Sequence, residues 1–573
     1  MPPRRSARAA SAKPAEPKPA EKVAKPVAPK AAAPRTRTKR PATPDSDSNS
    51  LTPPPPPAKR ARSGSKAAAA ATTNGVDKKE VKKTTKAAVA PKAAPAKKQE
   101  KVKVAEKVTV VKKKASAAPA HPPKPHFNAL PTHAEHIRPA PQLFVWGAGN
   151  FGQFGMGADR LGEFEKPRKN PLIEVKIEEG VFGEPGASFE AVAAGGLHSL
   201  FVDEKGTVWS CGVNDDAALG RVTNEVPNPE KPDEFLDIDT LTAQPYPLQS
   251  LADEGFRAVR IAAGDTISAA ISDKGELRVW GSFRGVEGVL GFSSGHKHQF
   301  LPTSILDIKS KPNDPELFTA VAAGNNHLLV LTTHGNLYTW GAGEQGQLGR
   351  KVLERRKIHG TVPEKIVLGS RTHKAVIIGA GNYTSFAVDE RGEVWAWGLN
   401  NKGQTGTGFS NSSQDGEIGL PKKVIGLSKE DLGGEDSVVE ITGGEHHTIF
   451  LTAKGRVFSC GRSDGGQLGI ADDDEALKDR AFPDMLEQPA EIKFPDADDP
   501  IVHISTGIHN NMAISKAGAL YCWGTGPQGE LGAGDDFEIT TPRMIVRKEG
   551  GSWAAVSVSC GGQHTLGLFR KKN

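Results

Sequence analysis

Four histidines, His198, His327, His447 and His564, occupy one position of a phrase that returns along the chain, and imidazole is the side chain best suited to metal ligation or proton transfer near neutral pH. Their recurrence argues against both. A catalytic constellation is assembled once from unlike groups, whereas one His per repeat reads as a structural hydrogen bond made again in each copy. Ile267, Thr384 and Asn510 replace it in three copies, so the pattern tolerates its absence. The four cysteines, Cys211, Cys460, Cys522 and Cys560, form no CxxC pair and lie in apolar segments. Buried thiols acting as small hydrophobes are expected, and no metal site. A third chemical suggestion is GxGxxG, which fits Gly147–Gly152, Gly341–Gly346 and Gly524–Gly529. A dinucleotide site needs that motif at a strand-to-helix turn; here it recurs as part of the repeat with no helical pattern behind it, and no GxxxxGK[ST] is present. The chain is expected neither to hold a nucleotide cofactor nor to hydrolyse GTP.

The elements that carry these residues emerge from the repeat itself. The phrase is plainest at Val192–Gly212, which reads VAAGGLHSLFVDEKGTVWSCG, and it returns at Ile261–Gly281, Val321–Gly341, Ile378–Gly398, Ile441–Gly461 and Ile504–Gly524. Half-copies stand at the two ends, the second half at Leu143–Gly147 and the first at Val558–Leu566. Each phrase predicts a hairpin: an apolar strand, a polar turn ending in Gly such as Gly206, then a second strand. The spacing leaves room for two more strands per repeat. The expected architecture is an all-β, seven-bladed β-propeller over residues 141–573, closed by pairing of N- and C-terminal strands so that no sheet edge is left at the seam.

Residues 1–140 differ in kind. They hold 32 Lys and Arg against 9 Asp and Glu, a net of +23, while the remaining residues hold 42 against 58, a net of −16. Ala, Lys and Pro dominate the first segment, and too little apolar surface exists there to offset chain entropy, so a disordered basic tail is expected. Two clusters, Arg35, Arg37, Lys39 and Arg40, then Lys59, Arg60 and Arg62, suit an importin-read nuclear signal. Spaced lysines with almost no aromatics suit nonspecific DNA through phosphate neutralisation. Thr43-Pro and Thr52-Pro lie beside the clusters, where phosphorylation would cancel local charge. No apolar run approaches the roughly 18 residues of a membrane span, and the opposite charges of tail and body point to two different partners.

The recurring phrases AxGxxHS, the paired tryptophans in Gly392-Glu-Val-Trp-Ala-Trp-Gly398, and Gly-Gln-Leu-Gly together resemble the family of the regulator of chromosome condensation, over about residues 141–570. That resemblance implies a nuclear, chromatin-associated guanine nucleotide exchange factor for the small GTPase Ran, acting without covalent chemistry or cofactor and serving nucleocytoplasmic transport and the cell cycle. Related propellers also act as chromatin or ubiquitin-pathway scaffolds without exchange activity, since a fold alone does not name a partner. Carried over residue by residue, the likeness assigns Asp265 and His446 to the GTPase-facing site and Arg284, Gly285, Val286, Glu287 and Gly288 to a protruding wedge. It places Asn326 where the family has an acid, so that the charge there is gone and only hydrogen bonding is left. Arg350, Arg355 and Arg356, in an insertion, correspond to the loop through which the family grips histones of the nucleosome.

Overall fold

Each repeated phrase folds as an antiparallel hairpin, and the reason is local. In the clearest copy His198–Asp203 pairs with Val208–Gly212, with His198 opposite Gly212. Asp203 turns the corner: its carboxylate accepts the N–H groups of Lys205 and Thr207, both at 2.9 Å, and Gly206 takes φ +79°. Asp389 repeats the device, and Ser272, Thr332, Thr452 and Ser515 each accept the N–H four residues on through a hydroxyl in other copies.

The computed structural model describes residues 126–229, 231–410 and 415–572. Its strands, among the described residues, form five four-stranded sheets, one eight-stranded sheet and two two-stranded ribbons. The eight-stranded sheet consists of two four-stranded halves joined at a single parallel bridge, Ala380 with Thr442. We number the four-stranded units by their second strands: His564–Lys571 in unit one, His198–Asp203 in two, Ile267–Ser272 in three, His327–Thr332 in four, Thr384–Asp389 in five, His447–Thr452 in six and Asn510–Ser515 in seven. Unit one draws on both ends of the chain, because Gln142–Ala148 pairs with His564–Lys571 from Gln142 opposite Phe569 to Gly147 opposite His564.

The units are joined by polar contacts that the repeat also encodes. The first turn of one unit donates a backbone hydrogen bond to the first turn of the next: Gly196 to Gly264, Asp265 to Asn325, Asn325 to Asn382, Asn382 to Gly444, Glu445 to Ile508 and Gly562 to Gly195. These turns therefore share one rim. The first strands behind them line a channel of about 410 Å³. A second set of contacts lies deeper. Trp146, Trp280, Trp397 and Trp523 each donate through Nε1 to a carbonyl in the glycine-rich loop of the preceding unit, at Glu530, Ala218, Gln347 and Gln467, over 2.8–3.1 Å. GxGxxG thus serves as an inter-unit clasp. At the opposite end from the rim, residues 128–138 cross the hairpin turns: Asn128 donates to the carbonyls of Thr332 and Ala375 at 3.0 Å, and Arg138 forks onto Glu204 at 2.7 Å.

The histidines behave as the repeat pattern implies. His198, His327 and His447 reach Ser268, Ser385 and Asn511 of the following unit, and His564 reaches Ser199, all at 2.8 Å. Burial holds the first three down to about 4 and His564 to about 3. They are neutral in the fold and protonated in the unfolded chain below about 6.5, so their contribution is complete above that value and lost as pH falls toward 4, at about 1.4 kcal/mol per pH unit for each histidine. Acid unfolding followed by circular dichroism is expected to begin below pH 6 with multi-proton uptake, and His447→Gln to reduce that uptake by one proton. The four cysteines are buried, and burial pushes the Cys211, Cys522 and Cys560 thiols up to about 12.

Candidate functional site

Asp265 sits in the rim turn of unit three, between Ala258–Ala263 and Ile267–Ser272. Its carboxylate fits against Gly196 of unit two, where an added Cβ would stand 2.2 Å from Oδ1, so that position has to be glycine. Burial raises the carboxyl above the ordinary Asp range; Arg284 opposes the rise and Asp216 adds to it.

Arg284 begins a small hairpin that leaves unit three beyond Leu277–Gly281, at the end of the sheet where Asp265 lies. Two rungs hold it, Arg284 opposite Val289 and Gly285 opposite Gly288, with Val286 and Glu287 at the tip. Val286 is 80% exposed, which marks a projecting apolar residue. Gly288 has φ +110°, a conformation that suits glycine at a two-residue hairpin end. The Arg284 guanidinium donates to Asp216 Oδ2 at 2.5 Å, and its backbone N–H donates to Asn326 Oδ1 at 2.9 Å. Asn326 thus fixes the root of the hairpin, a task an uncharged amide performs well.

This hairpin stands where other units carry the glycine-rich clasp. The consequence is visible in unit four: Trp340 is fully buried, yet its Nε1 has no hydrogen-bond partner among the described residues. Its neighbours have changed to match. Leu328 replaces the Ser, Thr or Asn that other units aim at the clasp, and Ile267 replaces the histidine that would have met it. The junction between units three and four is therefore apolar, built from Ile267, Phe283, Leu328 and Trp340.

The His446–His447 pair divides between two roles. His447 turns inward to Asn511, while His446 stays on the rim with its Nδ1 3.9 Å from Glu445, and His509 comes within 3.7 Å of the same carboxylate. Burial lowers the His446 pKa; Glu445 opposes this, and Arg462, His509 and Lys402 reinforce it. Asp265, Asn326 and His446 thus occupy rim turns of units three, four and six, linked by the backbone hydrogen bonds described above.

The three insertion arginines separate. Arg350 is turned inward, donating to the carbonyls of Gly360 at 3.0 Å and Val362 at 2.8 Å, which braces the loop and leaves its guanidinium engaged. Arg355 and Arg356 are exposed on the short helix Glu354–Thr361. That segment packs beside the projecting hairpin, since Lys357 Nζ lies 3.0 Å from Glu344 and 3.5 Å from Glu287. Sequence reasoning missed Asp216, Glu344 and Lys357. The available signal was the broken clasp at Arg284–Gly291, which says that neighbouring units must hold that segment by other means. The basic clusters from Arg35 to Arg62, and Thr43 and Thr52, lie outside the described residues. His136, Glu190 and Glu204 form a group compact enough for a cation, but Arg138 already matches the Glu204 charge.

The RCC1-like domain model matches residues 142–567. Protein pim1 of Schizosaccharomyces pombe is 34% identical over 451 residues, covering 76% of this chain and 77% of that one. The guanine nucleotide exchange factor SRM1 of Saccharomyces cerevisiae is 32% identical over 470 residues, covering 76% and 91%. The crystal structure of Prp20p from Saccharomyces cerevisiae, described with its binding to Gsp1p and histones, superposes with a TM-score of 0.63 at 27% identity over 78% of this chain and 93% of that one. Yeast RCC1 (Prp20) bound to Kap60 gives the same TM-score and identity over 82% and 97%.

Proposed function

This chain belongs to the family of the regulator of chromosome condensation, and on that premise we propose that it is a guanine nucleotide exchange factor for the small GTPase Ran, built as a closed seven-bladed propeller. The observation that carries the reading is the projecting Arg284–Val289 hairpin, which replaces a clasp at one junction only and stands beside Asp265 on the rim. Four junctions keep the Trp clasp and two more keep a hydroxyl on the same loop carbonyl, Ser199 on Gln153 at 2.6 Å and Thr448 on Gln404 at 2.7 Å, and a local departure from such a rule marks a functional position.

Exchange requires no nucleophile and no general base. The protein has to bind the empty GTPase more tightly than the loaded one, and linkage makes nucleotide weaken that grip by the same factor. In this reading the exposed Val286 tip displaces the elements around the bound phosphates. Asp265 competes for the cationic groups that held them, and His446 contributes a neutral imidazole at the far side of the same rim. The net negative body steers a basic surface toward the rim and speeds encounter. Residues 1–140 would serve as the tail that importin reads and that holds DNA, with Arg355 and Arg356 offering forks to histone carboxylates. Exchange would then be confined to chromatin in the nucleus, with residues 141–573 performing it.

The test is release of labelled GDP from purified Ran by substoichiometric protein. Multiple turnovers support exchange; binding without accelerated release would instead describe a scaffold. A sharper outcome is expected for Asp265→Asn. The folded carboxyl titrates above its unfolded value, so its contribution is most favourable below the ordinary Asp pKa and is lost as pH rises through the raised one. Removing the charge is therefore expected to leave the melting temperature at pH 7 unchanged or higher while lowering exchange by about tenfold or more.

A further inference from the structure

We infer that Glu344 is a positioning residue for the exchange wedge, and that Lys357 sets its orientation; this rests on the proposed exchange activity. The hairpin is too small to hold itself. Its ladder is two rungs, continued at the root only by the N–H groups of Leu290 and Gly291 on the Phe283 carbonyl, and an isolated two-stranded hairpin is marginal even when longer. Its tip is fixed from unit four. Glu344 Oε2 accepts the backbone N–H of Val286 at 2.8 Å, and Oε1 is paired with Lys357 at 3.0 Å. Lys357 also reaches Glu287 at 3.5 Å, so one ammonium ties the tip carboxylate to the carboxylate that holds the tip's backbone.

Two further observations point the same way. A Cβ on Gly285 would stand 3.0 Å from Glu344 Oε1 and 3.1 Å from Oε2, so any other residue at that rung would push the carboxylate back by a few tenths of an ångström. The carboxylate pair also raises the Lys357 pKa, first through its hydrogen bond to Glu344, the direction expected of an ammonium held between two carboxylates. Glu344 lies in the sequence Gly341-Ala-Gly-Glu344-Gln-Gly346, inside unit four's own clasp motif. The same loop therefore clasps unit five through Gln347 and aims the wedge of unit three through Glu344.

The experiment uses the full chain with Glu344→Ala, Glu344→Gln, Lys357→Met and Lys357→Arg, alone and in a background lacking Arg284–Glu287. GDP release from Ran is measured as a function of Ran concentration. Glu344→Ala is expected to lower the maximal rate by about tenfold or more with KM changed by less than about threefold, because docking on the rim persists while the tip is misdirected. Glu344→Gln and Lys357→Met are expected to fall between this and wild type, and Lys357→Arg to restore the rate. In the background without the wedge, Glu344→Ala is expected to add no further loss, which a general structural role would not produce. An unchanged rate in Glu344→Ala, or a loss of equal size in both backgrounds, overturns the inference. Hydrogen exchange at the Val286 amide separates this failure from failure of the exchange activity itself. Slow exchange in wild type that becomes fast in Glu344→Ala upholds the anchoring even if wild type releases no GDP, and equal exchange in both overturns it.

Discussion

Excising Arg284–Glu287 is expected to lower the GDP release that the protein stimulates from Ran by about a hundredfold, equivalent to ~2.7 kcal/mol of lost transition-state stabilisation. The same deletion is expected to leave thermal unfolding nearly unchanged. The size of the first effect follows from the mechanism: if exchange works by preferring the empty GTPase, the element that disfavours nucleotide accounts for most of that preference. The smallness of the second follows from packing. The tip residues Val286 and Glu287 are exposed, and the apolar junction beneath them, with Ile267, Leu328 and Trp340 fully buried, does not depend on the hairpin. Stopped-flow release from fluorescently loaded Ran, with a melting curve on the same preparation, reads both. Release at the wild-type rate would remove the hairpin from the mechanism.

Trp146→Ala is expected to produce the largest loss of stability. Trp146 is fully buried, contacts Phe569, and donates to Glu530 O at 2.8 Å, so it fastens the strand from one chain end both to the other end and to unit seven. Truncating a buried Trp costs about 3–5 kcal/mol. Against the ~5–15 kcal/mol that holds most folded domains, that is enough to make part of the molecule open at physiological temperature. Denaturant titration is expected to show a lowered midpoint. Limited proteolysis is expected to cut first near Gln142–Ala148. Trp340→Phe is the matched control. Its Nε1 has no partner, so losing the N–H removes no hydrogen bond, and only the vacated ring volume, about 1–2 kcal/mol, is expected to be lost. A Trp146→Ala protein as stable as wild type would mean that the two chain ends are held by something other than this contact.

The repeat made much of the fold legible. Asp203-Glu-Lys-Gly206 announces its turn because a short acceptor and a left-handed glycine are local requirements, and the buried apolar strands on either side follow from the same phrase. The half-copies at Leu143 and Val558 announced that the ends pair, and the paired strands at Gln142–Ala148 and His564–Lys571 do so. The recurring histidines were legible for the opposite reason: regular spacing removed them from the chemistry.

What the sequence could not specify is who holds the wedge. Its departure from the repeat was visible at Arg284–Gly291, but Asp216, Asn326, Glu344 and Lys357 come from three different stretches of chain and carry no shared signature. Arg350 likewise looks identical in sequence to Arg355 and Arg356, and only the carbonyls of Gly360 and Val362 turn it inward. Repetition by itself determined the units, their turns and the joining of the ends, because each depends on contacts between residues a few positions apart or at equivalent places in neighbouring copies. Tertiary structure alone decided the orientation of the wedge and the division of the arginines. Those depend on side chains reaching across unit boundaries at positions where the repeat has been broken, and a broken pattern does not say which neighbour replaces it.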